Sequence, residues 1–384
     1  MRIKSFLIVA VLIALGVVFI GMSKVEATPP QQFDDQVAQG EYIANIAGCA
    51  SCHTPYEEQY MQPELSEEQL RTVSLFEATA QDRENRWLAG GRPIDLGPQG
   101  VIMTPNITQD EETGIGSWTD EEIKSALKTG INRDGKRMHP LMPSYAGMAD
   151  SDLEALVAYL RTIDPVTNSV DEIPETQMPP WPEVDAPAEA PSADDLAARG
   201  EYLINEILKC GECHTPLDPT TFAPRTDLFL AGGQPFEGPW GVVYTRNLTP
   251  HDETGLGEWT EAEIKRVLTQ GVRRDGRRIV LMPWEYYATL TANDLDAVVN
   301  FLMNEVEPVD NSVPQLDVAD SLIEFVDIGT DADADAAASA DEEDDEEDEE
   351  EVSNLLLGVI AAVLILVIGG AILLVRRPSS SKES

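Results

Sequence analysis

Two five-residue words, Cys49-Ala50-Ser51-Cys52-His53 and Cys210-Gly211-Glu212-Cys213-His214, contain all four cysteines of the 384-residue chain. Two thiols separated by two residues, with a histidine directly after, form the attachment pattern of a c-type haem. The sulfurs become thioethers on the porphyrin vinyl groups, and the adjoining histidine is placed to ligate the iron from one side. Other uses of paired cysteines fit less well. A zinc ribbon sets its pairs about 15–20 residues apart, whereas 157 residues separate Cys52 from Cys210. A thioredoxin-like redox pair needs a βαβ context, which is not legible around either word. Structural disulfides in an oxidising compartment stay open, but they leave both histidines unexplained. The words point to two covalently bound haem c groups, attached at Cys49, Cys52, Cys210 and Cys213, with His53 and His214 as proximal iron ligands.

An electron-transfer iron takes a second axial ligand, and a methionine sulfur there raises the potential. The second half of the chain offers Met282 and Met303. Met303 adjoins Leu302 on an apolar helix face and reads as packing, while Met282 lies before Pro283 in a loop. The first half offers Met103, Met138, Met142, Met148 and His139. An internal repeat aligns Met142 with Met282, and sets Met103 and Met138 against Tyr244 and Ile279. Met142 and Met282 are therefore the expected distal ligands, with His139 as the competitor in the first half.

That repeat supplies the elements that must position these residues. Gly40-Glu41-Tyr42 returns as Gly200-Glu201-Tyr202, and Leu88-Ala89-Gly90-Gly91 as Leu230-Ala231-Gly232-Gly233. Asn106-Ile107-Thr108 matches Asn247-Leu248-Thr249, and Thr113-Gly114-Ile115-Gly116 matches Thr254-Gly255-Leu256-Gly257, with Trp118 or Trp259 close behind. Arg133-Asp134-Gly135 and Leu141-Met142-Pro143 return as Arg274-Asp275-Gly276 and Leu281-Met282-Pro283. The two Asn-x-Thr words are also glycosylation sequons, but their recurrence favours a turn role. Thr119-x-x-Glu122 and Thr260-x-x-Glu263 are capping boxes that predict helices ending at Gly130 and Gly271. Ile123, Ala126 and Leu127, and Ile264, Val267 and Leu268, fall at helical spacing. Later helices place Leu153, Leu156, Val157 and Leu160, and Leu295, Val298, Val299 and Leu302, on one face. No strong alternating pattern appears, so the expected class is mostly α. The first repeat alone carries an insertion over 57–85, where Ser66-x-x-Gln69 predicts a short amphipathic helix covering the interface or a partner.

The flanks bound the setting. Arg2 and Lys4, the apolar run 6–20 and Val25-Glu26-Ala27 read as a secretory signal or an uncleaved anchor over 1–27. Residues 171–192 are proline-rich and read as a stiff linker. Residues 316–354 are acidic and read as a disordered leash, with fourteen carboxylates and no cation over 331–351. Residues 355–375 are apolar and uncharged, enough at 1.5 Å per residue to cross a hydrocarbon core of about 30 Å. Arg376, Arg377 and Lys382 follow, which sets a 376–384 tail in the cytoplasm. The expectation is a C-terminal transmembrane helix, with the haem domains on the extracytoplasmic face of the cell membrane. A formal charge of −43 without a basic stripe excludes a general nucleic-acid role; it fits a basic redox partner or a salty milieu.

With these words in place, the chain resembles the dihaem and multihaem class I cytochromes c that serve as electron-accepting subunits of alcohol, aldehyde and gluconate-type dehydrogenases. The resemblance covers residues 34–315. It implies two tandem cytochrome c domains, 34–170 and 193–315, with thioethers and axial ligands at the residues named above. It also implies redox donor and acceptor proteins as partners. The chain departs from these subunits in carrying two haem words where they often carry three. The function expected is electron transfer between a respiratory dehydrogenase or other donor and a downstream cytochrome or oxidase, not an enzyme activity. The alternative is a dihaem peroxidase, which needs one displaceable axial ligand.

Overall fold

Thr119 and Thr260 open helices as their sequence context predicts. In the computed structural model, Thr119 Oγ1 accepts from the Glu122 N–H (3.2 Å) while Glu122 Oε2 accepts from the Thr119 N–H (2.7 Å). Thr260 and Glu263 repeat the exchange at 3.2 and 2.9 Å. Both helices stop at left-handed glycines, Gly130 and Gly271. The structure describes residues 33–58, 81–95, 100–171, 184–220, 223–238, 241–279, 281–314 and 317–318. The chain divides into two units, 1–326 and 327–384, and every described residue lies in the first.

In chain order the first repeat carries α1 (Gln36–Ile46), α2 (Cys49–His53), β1 (Pro93–Asp95), β2 (Val101–Met103), α3 (Asp120–Thr129) and α4 (Asp150–Leu160). The second carries α5 (Leu196–Tyr202), α6 (Cys210–His214), β3 (Pro235–Gly238), β4 (Gly241–Tyr244), α7 (Glu261–Gln270), α8 (Trp284–Tyr287), α9 (Ala292–Asn300) and β5 (Asp317–Val318). Helices α5 and α9 run on through π turns, Leu203–Ile207 and Phe301–Glu305. The mostly helical class holds. Short strands were not foreseen: β1 pairs antiparallel with β2, and β3, β4 and β5 form a second antiparallel sheet. Strands of two to four residues are too short for alternation to register in the sequence.

The expected C-terminal transmembrane helix is corrected here. Among the described residues, no helix is long and apolar enough to cross a membrane. The longest continuous helical run among the described residues, α9 with its π turn, rises roughly 20 Å, short of a core of about 30 Å. Residues 355–375 lie outside the described residues, as do the signal-like segment 1–27, the acidic run and the helix predicted around Ser66.

Within each repeat, the first helix crosses the last at a glycine. A Cβ on Gly40 would overlap the Ala155 carbonyl of α4, and one on Gly200 the Ala297 carbonyl of α9. This close approach is what the recurring Gly-Glu-Tyr word provides. The tyrosine of that word then leaves its own repeat. Tyr42 Oη donates to Asp294 Oδ2 on α9 (2.6 Å), and Tyr202 Oη donates to Asp152 Oδ2 on α4 (2.7 Å). Both aspartates are buried, so each needs its donors. Gln39 supplies a second one to Asp152 (2.8 Å), and Arg199 grips Asp294 with two nitrogens (2.7 and 2.8 Å). Around this exchange the buried apolar side chains of both repeats form a single core, including Ile46, Leu153, Leu156, Leu203, Ile204 and Val298. The described end of the linker also packs: Pro187 and Ala188 carbonyls accept from the Asp150 and Ser151 N–H groups that open α4.

Candidate functional site

Helices α2 and α6 are single turns entered through left-handed residues, Gly48 and Lys209, and each ends on its histidine. His53 Nδ1 lies 2.8 Å from the Pro105 carbonyl, and His214 Nδ1 lies 2.8 Å from the Arg246 carbonyl. A carbonyl only accepts, so Nδ1 carries the proton and Nε2 presents its lone pair. Burial pushes both imidazoles below their usual range, which keeps them neutral and fit to ligate a metal.

The repeat words hold these helices in place. The Gly90 N–H donates to the His53 carbonyl and the Gly232 N–H to the His214 carbonyl, each at 2.7 Å. Leu88 and Leu230, fully buried, take left-handed φ of 57° and 58°, a conformation that costs a leucine and persists only where its surroundings enforce it. Thr54 and Thr215 hydroxyls accept from their N–H groups at 3.1 Å. The Asn-x-Thr words are buried hubs: Asn106 Oδ1 accepts from the Thr108 N–H while its amide donates to the Val166 carbonyl, and Asn247 does the same with Thr249 and Val309. Asn106 and Asn247 are each 3% exposed, which supports the turn role.

The four thiols are unpaired, so the disulfide reading does not find its geometry. Among the described residues, no three His, Cys, Asp or Glu side chains converge as a metal site. Burial pushes Cys49 and Cys210 up to about 12 and Cys213 to about 11, which keeps these sulfurs as thiols. Met142 and Met282 occupy matching loops and pack, half-buried, against the core. Met148 is completely enclosed and Met303 packs on the core, as befits filler. His139 is half-buried in the loop before Met142 and accepts weakly from the Leu141 N–H (3.3 Å).

A family model described as cytochrome c matches residues 37–164. The chain is 30% identical over 256 residues to a dihaem cytochrome c-type protein of Cereibacter sphaeroides, covering 62% of this chain and 75% of that protein. The chain belongs to the cytochrome c family. This cytochrome is also 31% identical over 265 residues to the fructose dehydrogenase cytochrome subunit of Gluconobacter japonicus, covering 64% of this chain and 47% of that one. It is 29% identical over 262 residues to the gluconate 2-dehydrogenase cytochrome c subunit of Pantoea cypripedii, covering 63% and 52%. The cytochrome spans about half the length of these two relatives.

A cytochrome c holds haem c covalently, and the side chains around both motifs fit that group. Arg92 Nη1 and Arg246 Nη2 are buried with no hydrogen-bond partner among the described residues. Orphaned guanidinium nitrogens are costly, and the propionates of a haem would satisfy them. Arg92 also donates to Tyr56 Oη (2.5 Å) and lies over its ring. Arg246, whose carbonyl holds His214, stands close to Arg273 and Arg277; burial and these two cations lower its guanidinium pKa. Neither arginine belongs to a repeat word, and their counterparts in the other repeat, Gln234 and Pro105, are uncharged, so sequence comparison of the halves passed over them. Glu212 in the second motif was also missed. Glu212 is exposed at its outer side, yet desolvation raises its carboxyl pKa, opposed first by the Lys209 ammonium and then by a backbone hydrogen bond from Ser144 of the first repeat.

Proposed function

We propose that this cytochrome is a dihaem electron carrier. One haem is attached at Cys49 and Cys52, with His53 and Met142 as axial ligands. The other is attached at Cys210 and Cys213, with His214 and Met282. The observation that carries this reading is the matched pair of imidazoles, each pinned through Nδ1 to a backbone carbonyl, with Nε2 directed away from that bond. The haem iron supplies a one-electron couple. The protein contributes neutral, oriented imidazoles, buried surroundings that limit reorganisation, and covalent anchorage that survives repeated encounters. Electrons enter from the catalytic subunit of a dehydrogenase, as the named roles of the fructose and gluconate dehydrogenase relatives suggest, and leave to a downstream cytochrome or oxidase. The leader-like pattern of residues 1–27 supports an extracytoplasmic site of action. Two haem domains, 34–170 and 193–315, make up the working part.

Reversible reduction and reoxidation of the purified protein, followed in the haem bands, tests the carrier. Met142→Ala and Met282→Ala are each expected to remove half of the methionine–iron charge-transfer absorbance and to lower the potential of one centre only. Peroxide turnover by the unaltered protein would show instead that one iron has an open sixth position and would overturn the reading.

A further inference from the structure

Two buried tyrosines lie in a seam between the repeats, each beside an attachment motif. Tyr145, three residues beyond Met142, is 3% exposed, and its hydroxyl donates to the Ala47 carbonyl just before the first motif (3.5 Å). Tyr287 is its counterpart, buried, with its hydroxyl donating to the Leu208 carbonyl just before the second motif (3.4 Å). Tyr145 lies within electrostatic reach of Cys49, Cys52, Tyr287 and Glu212, and Tyr287 within reach of Cys210, Cys213 and Glu212. Lys209, from the threshold of the second motif, places its ammonium 5.6 Å from the Tyr145 ring. Tyr286 reaches the opposite way, into the neighbourhood of Cys52 and Gln81. Gly147 of the first repeat packs against the Glu206 carboxylate of the second, the movable end of a side chain.

We infer that Tyr145 and Tyr287 are positioning residues for electron transfer between the two centres, filling the seam that separates the two attachment motifs. The inference rests on the dihaem reading above. One electron leaves the ferrous centre and arrives at the ferric one; no bond forms or breaks and no proton moves. Burial raises both phenols far above their usual range, so they stay neutral and serve as dense aromatic matter. The reciprocal Tyr42–Asp294 and Tyr202–Asp152 bonds hold the two repeats together.

The test is internal electron equilibration after rapid partial reduction of the full-length holoprotein. The unaltered protein is expected to equilibrate at a rate independent of protein concentration. Tyr145→Leu and Tyr287→Leu should each slow it severalfold, with a non-additive effect in the double variant. The phenylalanine variants, which keep the ring, should retain the rate. Potentials and methionine–iron bands should be unchanged in all of them, which separates gap-filling from general damage. Where a leucine variant fails to fold, the methionine substitution at the same position (Tyr145→Met or Tyr287→Met), which also lacks the ring, should slow equilibration in the same way. An unchanged rate in spectrally intact leucine or methionine variants overturns the inference, as does equilibration that scales with protein concentration. Two haems per chain with an unchanged rate sinks this inference alone; a single haem per chain sinks the dihaem reading and this one with it.

Discussion

The two repeats solve the same burial problem with different chemistry. Asp152 in the first is held by the Gln39 amide and by Tyr202 from the second. Asp294 in the second is held by Tyr42 from the first and by a two-pronged Arg199. The histidine–carbonyl bonds, the left-handed leucines, the Asn-x-Thr hubs and the glycine helix crossings are the same in both. What is duplicated is the apparatus that orients an imidazole and closes the helices over it. What differs is charge: an arginine where the first repeat has glutamine, Arg246 and Arg273 where it has Pro105 and Asn132, and His251 where it has Asp110. The common parts fold the repeats and orient the two histidines, and the divergent parts give the repeats different charges.

Breaking the charged side should hurt most. Asp294→Ala leaves Arg199, whose side chain is 13% exposed, with a buried and unpaired charge, and is expected to destabilise by about 3–5 kcal/mol in denaturant unfolding. A loss under about 1 kcal/mol would mean the pair adds nothing beyond an exposed one. The glycine crossings, by contrast, should respond alike. Gly40→Ala and Gly200→Ala gain roughly 1 kcal/mol of helix propensity, but each forces a methyl into a facing carbonyl and should cost up to about 3 kcal/mol net of that gain. Unequal losses would show that the repeats are not equally close-packed at this contact. On the neutral side, Asp152→Ala strands an amide and a phenol, for about 1–3 kcal/mol, less than at Asp294.

The smallest effect separates Asp110 from His251. Asp110 is held down to about 2, chiefly by the Thr167 hydroxyl and then by the Thr113 N–H and hydroxyl. A carboxyl whose folded pKa is depressed adds stability above its unfolded value, near 3.9, and loses it as pH falls through the folded one. Asp110→Asn should therefore flatten the fall in stability between roughly pH 4 and pH 2, measured by urea unfolding across that window. An unaltered pH slope would remove Asp110 from the account.

The parts that could be read from the sequence are those where chemistry is local. The CxxCH words, the capping boxes at Thr119 and Thr260, and the apolar stripe Leu153, Leu156, Val157 and Leu160, all buried, follow from spacing alone. The Gly-Glu-Tyr word was visible as a repeat, but its meaning was not. The Tyr42–Asp294 bond spans 252 positions, and no local period encodes it. A signal was present in retrospect: Asp152 and Asp294 stand at matched places on otherwise apolar helix faces, where a carboxylate is tolerated only with buried donors. Arg92 and Arg246 stayed hidden because neither recurs in the other repeat, and their buried, unpartnered nitrogens show only in the fold. The strands were missed for their length, and the hydropathy of 355–375 has no counterpart among the described residues.

The most direct test of the central claim is the covalent haem content of the mature protein, read by intact mass together with its ferric near-infrared spectrum. Two haem masses per chain and methionine–iron charge-transfer absorbance from both centres are expected. One haem mass, or a spectrum with a five-coordinate iron, would contradict that claim.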